Sequence, residues 1–261
     1  MIYINGRFLI NNPTGIENFA YGMCKAMLEK GIKFIILTPK SAIRSYDVIG
    51  FDMIKIGLFT GPLWEQIDLS FFMIGKSRDI LISFSGAGSL IIKNQIITIH
   101  DVAVFQHPEW FSKTYSILYK TITPIIARKS KAILTVREIT NLFGINSDKV
   151  IVTYSSPKNY SKCDLIHEQQ NNTNIISSPY ILAVSSIDPR KNFISLIEAF
   201  TRSNAHCNLV IIGKKHKSFK QFEIEAESDK IKFLGYIPDA ELISYYRNAI
   251  AFVSVSLYEG F

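Results

Sequence analysis

Four short stretches of this chain carry residue types and spacings suited to chemistry. Between a first apolar run and a first amphipathic one lies Pro13-Thr14-Gly15-Ile16, where a glycine at a helix start lets backbone N–H groups approach a phosphate or a sugar. A lone glycine there is more often just a turn. Thr98-Ile99-His100-Asp101-Val102 puts a histidine and a carboxylate side by side at the end of an apolar run, a pair able to orient a hydroxyl or move a proton. A histidine satisfied by structure is the competing reading. Ser185-Ser186-Ile187-Asp188-Pro189-Arg190-Lys191-Asn192 offers two adjacent cations, the provision a diphosphate needs, unless they belong to a solvated basic loop. Glu259-Gly260 joins a carboxylate that can accept hydrogen bonds from sugar hydroxyls to a glycine that permits close backbone approach. Its weight comes from following an apolar run, Ile250–Val253, because strand C-termini are where open α/β sheets bind ligands.

The elements that must position these groups alternate between strand-like and helix-like. Strands are expected at Met1–Ile4, Phe34–Leu37, Ile80–Phe84, Ile96–Ile99, Ala132–Val136 and Lys149–Thr153, with helices at Ile16–Lys30, Tyr115–Lys129 and Ile139–Phe143. In the first helix Ile16, Phe19, Ala20, Met23, Ala26 and Met27 form one buried stripe. Thr14 reads as its N-cap and Gly31 as the left-handed residue that ends it. Ser70–Ile74 reads as a strand-sized apolar run. Between about Ser155 and Ser178 the composition turns polar, and the rhythm then restarts. Strands are expected at Tyr180–Val184, Asn208–Ile212, Ile231–Phe233 and Ile250–Val253, with helices at Ile194–Phe200, Phe219–Ala226 and Ala240–Arg247. This is an α/β chain of βα units around mostly parallel sheets, read as two Rossmann-like domains. The boundaries are 1–156 for the first, 157–178 for a linker, and 179–261 for a second domain of only four strands.

Composition narrows the class. At 261 residues, 48% hydrophobic and 20% charged, the chain is globular. Its longest apolar runs fall short of a membrane span. The start, Met1-Ile2-Tyr3-Ile4-Asn5-Gly6-Arg7, reads as a strand and not a signal peptide. Cys24, Cys163 and Cys207 lack any C-x-x-C spacing, which suits a reducing, cytoplasmic setting without disulfide or zinc. Residues 1–155 hold 17 Lys/Arg against 11 Asp/Glu, a net of +6, whereas the remainder has a net of +1. That excess fits a phosphorylated substrate, an anionic membrane surface or a merely soluble face. The scatter of the basic residues speaks against nucleic acid. No Asp-x-Asp pair occurs, so a metal-bridged nucleotide has no obvious ligands, and none is expected. Walker-type and G-x-S-x-G sequences are also missing.

In order and spacing these stretches resemble the family-4 retaining glycosyltransferases, over essentially the whole chain. Thr14-Gly15-Ile16-Glu17-Asn18 is similar to the family's N-terminal glycine loop, and Leu63-Trp64-Glu65-Gln66 to a segment of bacterial lipopolysaccharide and capsule members. His100-Asp101-Val102 sits where the family has its active-site histidine, and Asp188–Asn192 matches its diphosphate-binding turn. Leu234–Asp239 matches the strand-loop that follows, and Ser256–Phe261 resembles the start of its E-x7-E motif. The resemblance implies a GT-B fold, two Rossmann-like domains facing a cleft with the second incomplete. It also implies transfer of a hexose from a nucleotide sugar, with retention and without a metal or other cofactor. Mannose from GDP-mannose is favoured, and the acceptor is a lipid-linked or polysaccharide glycan such as O-antigen or capsule. His100 and Glu259 would flank the transferred sugar, Arg190 and Lys191 would meet the diphosphate, and Gly15 and Gly260 would let the backbone close on the donor.

Three departures stand out. Ser185 and Ser186 occupy places where many members have an arginine, and the turn around Thr135–Ile139 looks shortened. The second glutamate of E-x7-E would lie beyond Phe261. A C-terminally truncated, impaired chain is therefore expected. A non-catalytic protein of the same fold and a sugar-nucleotide epimerase are the alternatives. Peripheral association with the inner membrane face is a further expectation.

Overall fold

The computed structural model describes residues 1–41, 43, 46–135, 139–154, 176, 178–214 and 229–259. The expected helix at Phe219–Ala226, most of the polar linker, Cys163 and Gly260 lie outside them. The described residues divide into two compact units. One comprises Met1–Phe105 and Ser116–Ser155; the other comprises Gln106–Tyr115 together with Ser156–Glu259.

The first unit is a seven-stranded, fully parallel sheet. Its strands are β1 (Ile2–Asn5), β2 (Ile35–Thr38), β3 (Met53–Lys55), β4 (Ile80–Ser83), β5 (Gln95–Ile99), β6 (Ala132–Thr135) and β7 (Val150–Val152). They run in the order β3-β2-β1-β4-β5-β6-β7. β1 pairs with β2 through Tyr3–Ile35 and with β4 through Tyr3–Leu81, so the order reverses between β1 and β4. Strand alternation sends neighbours to opposite faces. Ile4 packs with Ala20 and Cys24 of α1 (Gly15–Glu29), whereas Tyr3, Leu37 and Leu81 pack on Trp64, Leu69 and Met73. α5 (Lys113–Lys129) buries Ile122, Ile126 and Ala127 against Ile97 and Ile133.

One expectation is corrected here. The buried stripe of α1 centres on Ala20 and Cys24, with Phe19, Met23 and Met27 at its margin and Ile16 exposed. Residues 61–73, for which no element is expected beyond the apolar run Ser70–Ile74, are helical: α2 (Gly61–Trp64) continues through a π-helical stretch (Glu65–Leu69) into α3 (Ser70–Met73). Thr14 does occupy the N-cap position, but its hydroxyl bonds the Glu17 carboxylate instead of a helix N–H. Gly31 takes the left-handed conformation that ends the helix.

The second unit repeats the topology with four parallel strands: β8 (Tyr180–Val184), β9 (Asn208–Ile212), β10 (Ile231–Gly235) and β11 (Ala251–Phe252). They are ordered β10-β9-β8-β11. Ala183, Leu209 and Ile211 pack on Phe193, Leu196, Ile197 and Phe200 of α7 (Phe193–Arg202). Tyr180, Leu182, Val210 and Ile212 face the other way, toward Leu242 and Tyr245 of α8 (Asp239–Asn248). Among the described residues there are also the short helices α4 (Ala103–Gln106) and α6 (Thr140–Phe143). In each sheet the strand order therefore turns between the first strand and the fourth, and the crevice at such a reversal is where doubly wound sheets bind ligands.

Candidate functional site

In the second unit the reversal lies between β8 and β11, and the charged residues gather at their C-terminal ends. After β8 the chain enters a single 3-10 turn, Pro189–Lys191, which Asp188 caps through its side chain. Proline suits that first position because the amide hydrogen it lacks has no partner there. Asp188 is fully buried. One of its oxygens accepts from the Arg190 backbone N–H and Nε at 3.1 Å each, and the other from the Ser186 hydroxyl at 2.7 Å. The Arg190 guanidinium is thus committed to Asp188 and lies 6.0 Å over the Phe111 ring. Gly213, at the end of β9, makes room for this loop: a Cβ there would come within 1.7 Å of the Ser185 carbonyl oxygen.

After β11 the chain folds back on the same turn, where the Leu257 N–H donates to the Arg190 carbonyl at 2.7 Å. That return brings Glu259 to Lys191, Nζ to Oε1 at 2.7 Å, with the lysine side chain 13% exposed and the glutamate 39%. Beside Glu259, Tyr258 sets its edge against the stacked rings of His107 and Trp110, which lie 4.0 Å apart. Those two residues come from the Gln106–Tyr115 segment that groups with this unit.

In the first unit the reversal between β1 and β4 holds a buried polar cluster around Glu65 of the Leu63–Gln66 segment. The Glu65 carboxylate is fully buried; it accepts from Asn5 Nδ2 at 2.8 Å and Arg7 Nη1 at 3.0 Å, and the Ala87 N–H also bonds it. Asn5 reaches on to the Ser83 hydroxyl, and Arg7 also bonds the Tyr119 side chain. Burial pushes the Glu65 carboxyl up, and Arg7, Asn5 and Ala87 pull it back. Gly86 is required beside it: its φ is +80°, and a Cβ would come within 2.0 Å of Glu65 Oε1. The available signal was a carboxylate next to Trp64 on the buried side of an apolar segment, but its partner is 58 residues away.

His100 ends the run of β5. Its Nε2 lies 2.8 Å from the Phe84 carbonyl, so Nε2 carries the donated hydrogen and Nδ1 keeps a lone pair. The ring stands edge-on to Phe19 at 5.0 Å. Burial lowers its pKa, opposed by the Phe84 contact and by Asp101 and Glu17, so the neutral ring is favoured. Asp101 caps the next turn, accepting from the Ala103 N–H at 3.0 Å. Gly15 opens α1 without a left-handed φ, and a Cβ on it would meet nothing within 4 Å. Neither backbone nor packing demands a glycine there.

The structure thus joins Lys191 to Glu259 in the second unit, turns Arg190 onto Asp188, and places His100 and Gly15 in the first unit. Gly260 lies outside the described residues. No group of three His, Cys, Asp or Glu suited to a metal occurs among the described residues.

Comparison with known proteins agrees with this architecture. Residues 166–261 match the family described as Glycosyl transferases group 1. The O-antigen chain mannosyltransferase RfbU of Salmonella typhimurium is 28% identical over 180 residues, which is 66% of this chain and 48% of that protein. The chain spans about half the length of the curated relatives it matches. Among solved structures, sucrose-phosphate synthase of Thermosynechococcus elongatus superposes with a TM-score of 0.68 at 15% identity, covering 100% of this chain and 76% of that one. HepE of Anabaena, in complex with UDP and glucose, follows at 0.63 and 11% identity, covering 99% and 74%. These likenesses show the GT-B fold, and the glycosyltransferase resemblance drawn from the motifs is borne out.

Proposed function

We propose that this chain transfers a hexose, with mannose from GDP-mannose favoured, from a nucleoside-diphosphate sugar to a lipid-linked or polysaccharide acceptor in surface-glycan synthesis, with retention at the anomeric carbon. The observation that carries the reading is the Lys191–Glu259 pair at the strand-order reversal of the second sheet, inside the family-matched segment. Transfer leaves negative charge on the departing nucleoside diphosphate, and a fixed cation there stabilises the transition state more than the ground state. Lys191 is that cation, so no divalent ion is required of the site. Without donor its charge is matched by Glu259; with donor bound, the diphosphate takes the ammonium and the sugar hydroxyls donate to the released carboxylate. Arg190, held by Asp188, fixes the turn and adds positive field, and Gly260 adds room beside Glu259.

His100 supplies a neutral acceptor. With Nε2–H spent on Phe84, Nδ1 is the atom left for a sugar hydroxyl. Gly15 leaves open space at the start of α1, where backbone N–H groups can face an anion. The choice of mannose follows the relative named an O-antigen chain mannosyltransferase. HepE, with the same fold, holds UDP and glucose, which supports a nucleotide sugar as the ligand class.

Incubation with GDP-[14C]mannose and a lipid-linked oligosaccharide tests the reading. It expects label in the lipid fraction with the donor's anomeric configuration kept. Interconversion of free nucleotide sugar without transfer would contradict it.

A further inference from the structure

Glu259 is carried by a loop with little regular structure to hold it. β11 has two residues and stands at the end of the described sheet. Beyond it the Val253 N–H donates to the Leu182 carbonyl at 2.8 Å, and residues 253–259 form neither helix nor strand. Leu257 ties the loop to the Arg190 carbonyl through its N–H, while its side chain is exposed. A carboxylate that reads sugar hydroxyls has to be held to within about 0.5 Å. A second restraint comes from far back in the sequence, in the Gln106–Tyr115 segment. Its 3-10 turn, Pro108–Trp110, is flanked by two backbone bonds of 3.2 Å, from the Trp110 N–H to the His107 carbonyl and from the Phe111 N–H to the Pro108 carbonyl. Residues three apart eclipse in such a turn. His107 and Trp110 therefore lie face to face, their centroids 4.0 Å apart and their planes 14° from parallel. Glu109 Oε1 lies 3.1 Å from His107 Nδ1 and holds the outer ring. Tyr258 meets both rings edge-on, at 5.8 Å and 69° to His107 and at 6.2 Å and 66° to Trp110. The next residue, Phe111, is buried, stacks on Tyr115 at 5.5 Å and lies under the Arg190 guanidinium. The segment thus touches the neighbour of each member of the ion pair, Tyr258 beside Glu259 and Arg190 beside Lys191.

We propose that Tyr258 is a positioning residue: clamped by His107 and Trp110, it holds the Glu259 carboxylate where it selects the sugar of the donor. Tyr258 is bonded directly to Glu259 in the chain, so a shift of its ring displaces the carboxylate. Edge-to-face contacts have a preferred geometry, because the positive rim of one ring meets the negative face of another. They fix the loop without adding a charge that would compete for Lys191 or for phosphate. Lys191 is held independently, in the turn that Asp188 caps. Loss of the clamp therefore frees Glu259 while leaving the cation in place, and the sugar is affected but not the diphosphate. This role rests on the proposed donor-binding function of Lys191 and Glu259 and adds selectivity for the sugar to it.

GDP-mannose and GDP are titrated calorimetrically into the 261-residue protein and its Tyr258→Leu, Tyr258→Phe and Trp110→Leu variants. Tyr258→Leu should weaken GDP-mannose by about fivefold or more, the loss of two ring contacts, and change GDP by less than about twofold. Trp110→Leu, which alters the clamp from the other side, should reproduce that split. Tyr258→Phe keeps the ring and should restore GDP-mannose affinity to within about threefold of wild type. Amide exchange of the donor-free proteins supplies a readout that needs no ligand. Tyr258→Leu should speed exchange in residues 254–259, including the Leu257 amide, and leave β8 and β9 as slow as in wild type. Equal weakening of both nucleotides, or unchanged exchange in that loop, overturns the proposal. A wild type that binds neither nucleotide contradicts the donor reading instead, and the clamp then stands or falls on exchange alone.

Discussion

Replacing Glu65 by leucine should damage the first unit more than its single ion pair suggests. The carboxylate is fully buried, and its removal strands the Arg7 guanidinium, only 13% exposed, together with Asn5 Nδ2 and the Ala87 N–H. Breaking a buried pair by deleting one partner costs about 3–5 kcal/mol, because the remaining charge is left uncompensated. For a unit of this size each kcal/mol moves the melting temperature by roughly 2–4 °C, so a fall of about 6–20 °C is expected. Glu65→Gln keeps an acceptor for Asn5 and should lose less, about 1.5–3 kcal/mol. The chain has two tryptophans, Trp64 in the first unit and Trp110 in the second. A Trp110→Phe background therefore leaves Trp64, beside the mutated residue and fully buried, as the reporter of this unit alone. If Glu65→Leu melts within about 2 °C of its parent, the cluster is not holding the β1–β4 crest, and the argument from charge burial fails.

Two glycines separate fold from ligand. Gly213→Ala should destabilise the second unit by about 1–3 kcal/mol, since its Cβ would collide with the Ser185 carbonyl; urea unfolding followed by Trp110 fluorescence reads this. Gly15→Ala should leave melting unchanged, because its Cβ meets nothing, while lowering transfer or donor binding if a ligand approaches that backbone. For His100 the folded pKa is depressed by burial, so the unfolded chain takes up the proton first as pH falls. The stabilisation is present above the unfolded value, near 6.5, and is lost as pH drops through it toward the folded value. His100→Gln keeps a donor for Phe84 and should flatten that part of the pH–stability curve measured by urea titration.

What the sequence discloses follows burial. The expected bounds of β8 and β9 coincide with the structure because both strands are central and apolar on both faces. β3, Met53–Lys55, escapes notice as a short edge strand whose Ile54 and Lys55 are exposed. The helix over residues 61–73 escapes notice because apolar side chains on both faces erase the helical period. The types of residue at the site are visible in local motifs, but their pairing is tertiary. Lys191 meets Glu259 only because the chain after β11 returns to bond the Arg190 carbonyl. Asp188 claims Arg190 through a fully buried carboxylate that the neighbouring prolyl turn presents, so two adjacent cations in sequence become one engaged and one facing Glu259.

The most direct measurement is calorimetric titration of GDP-mannose into the 261-residue protein and its Lys191→Met variant. Losing one charge-assisted contact of about 1.5–3 kcal/mol should weaken binding by roughly 10–150-fold. Glu259→Gln should weaken GDP-mannose but leave GDP nearly unchanged, because the carboxylate reads the sugar and not the diphosphate. Equal affinity of wild type and Lys191→Met for the donor would contradict the account.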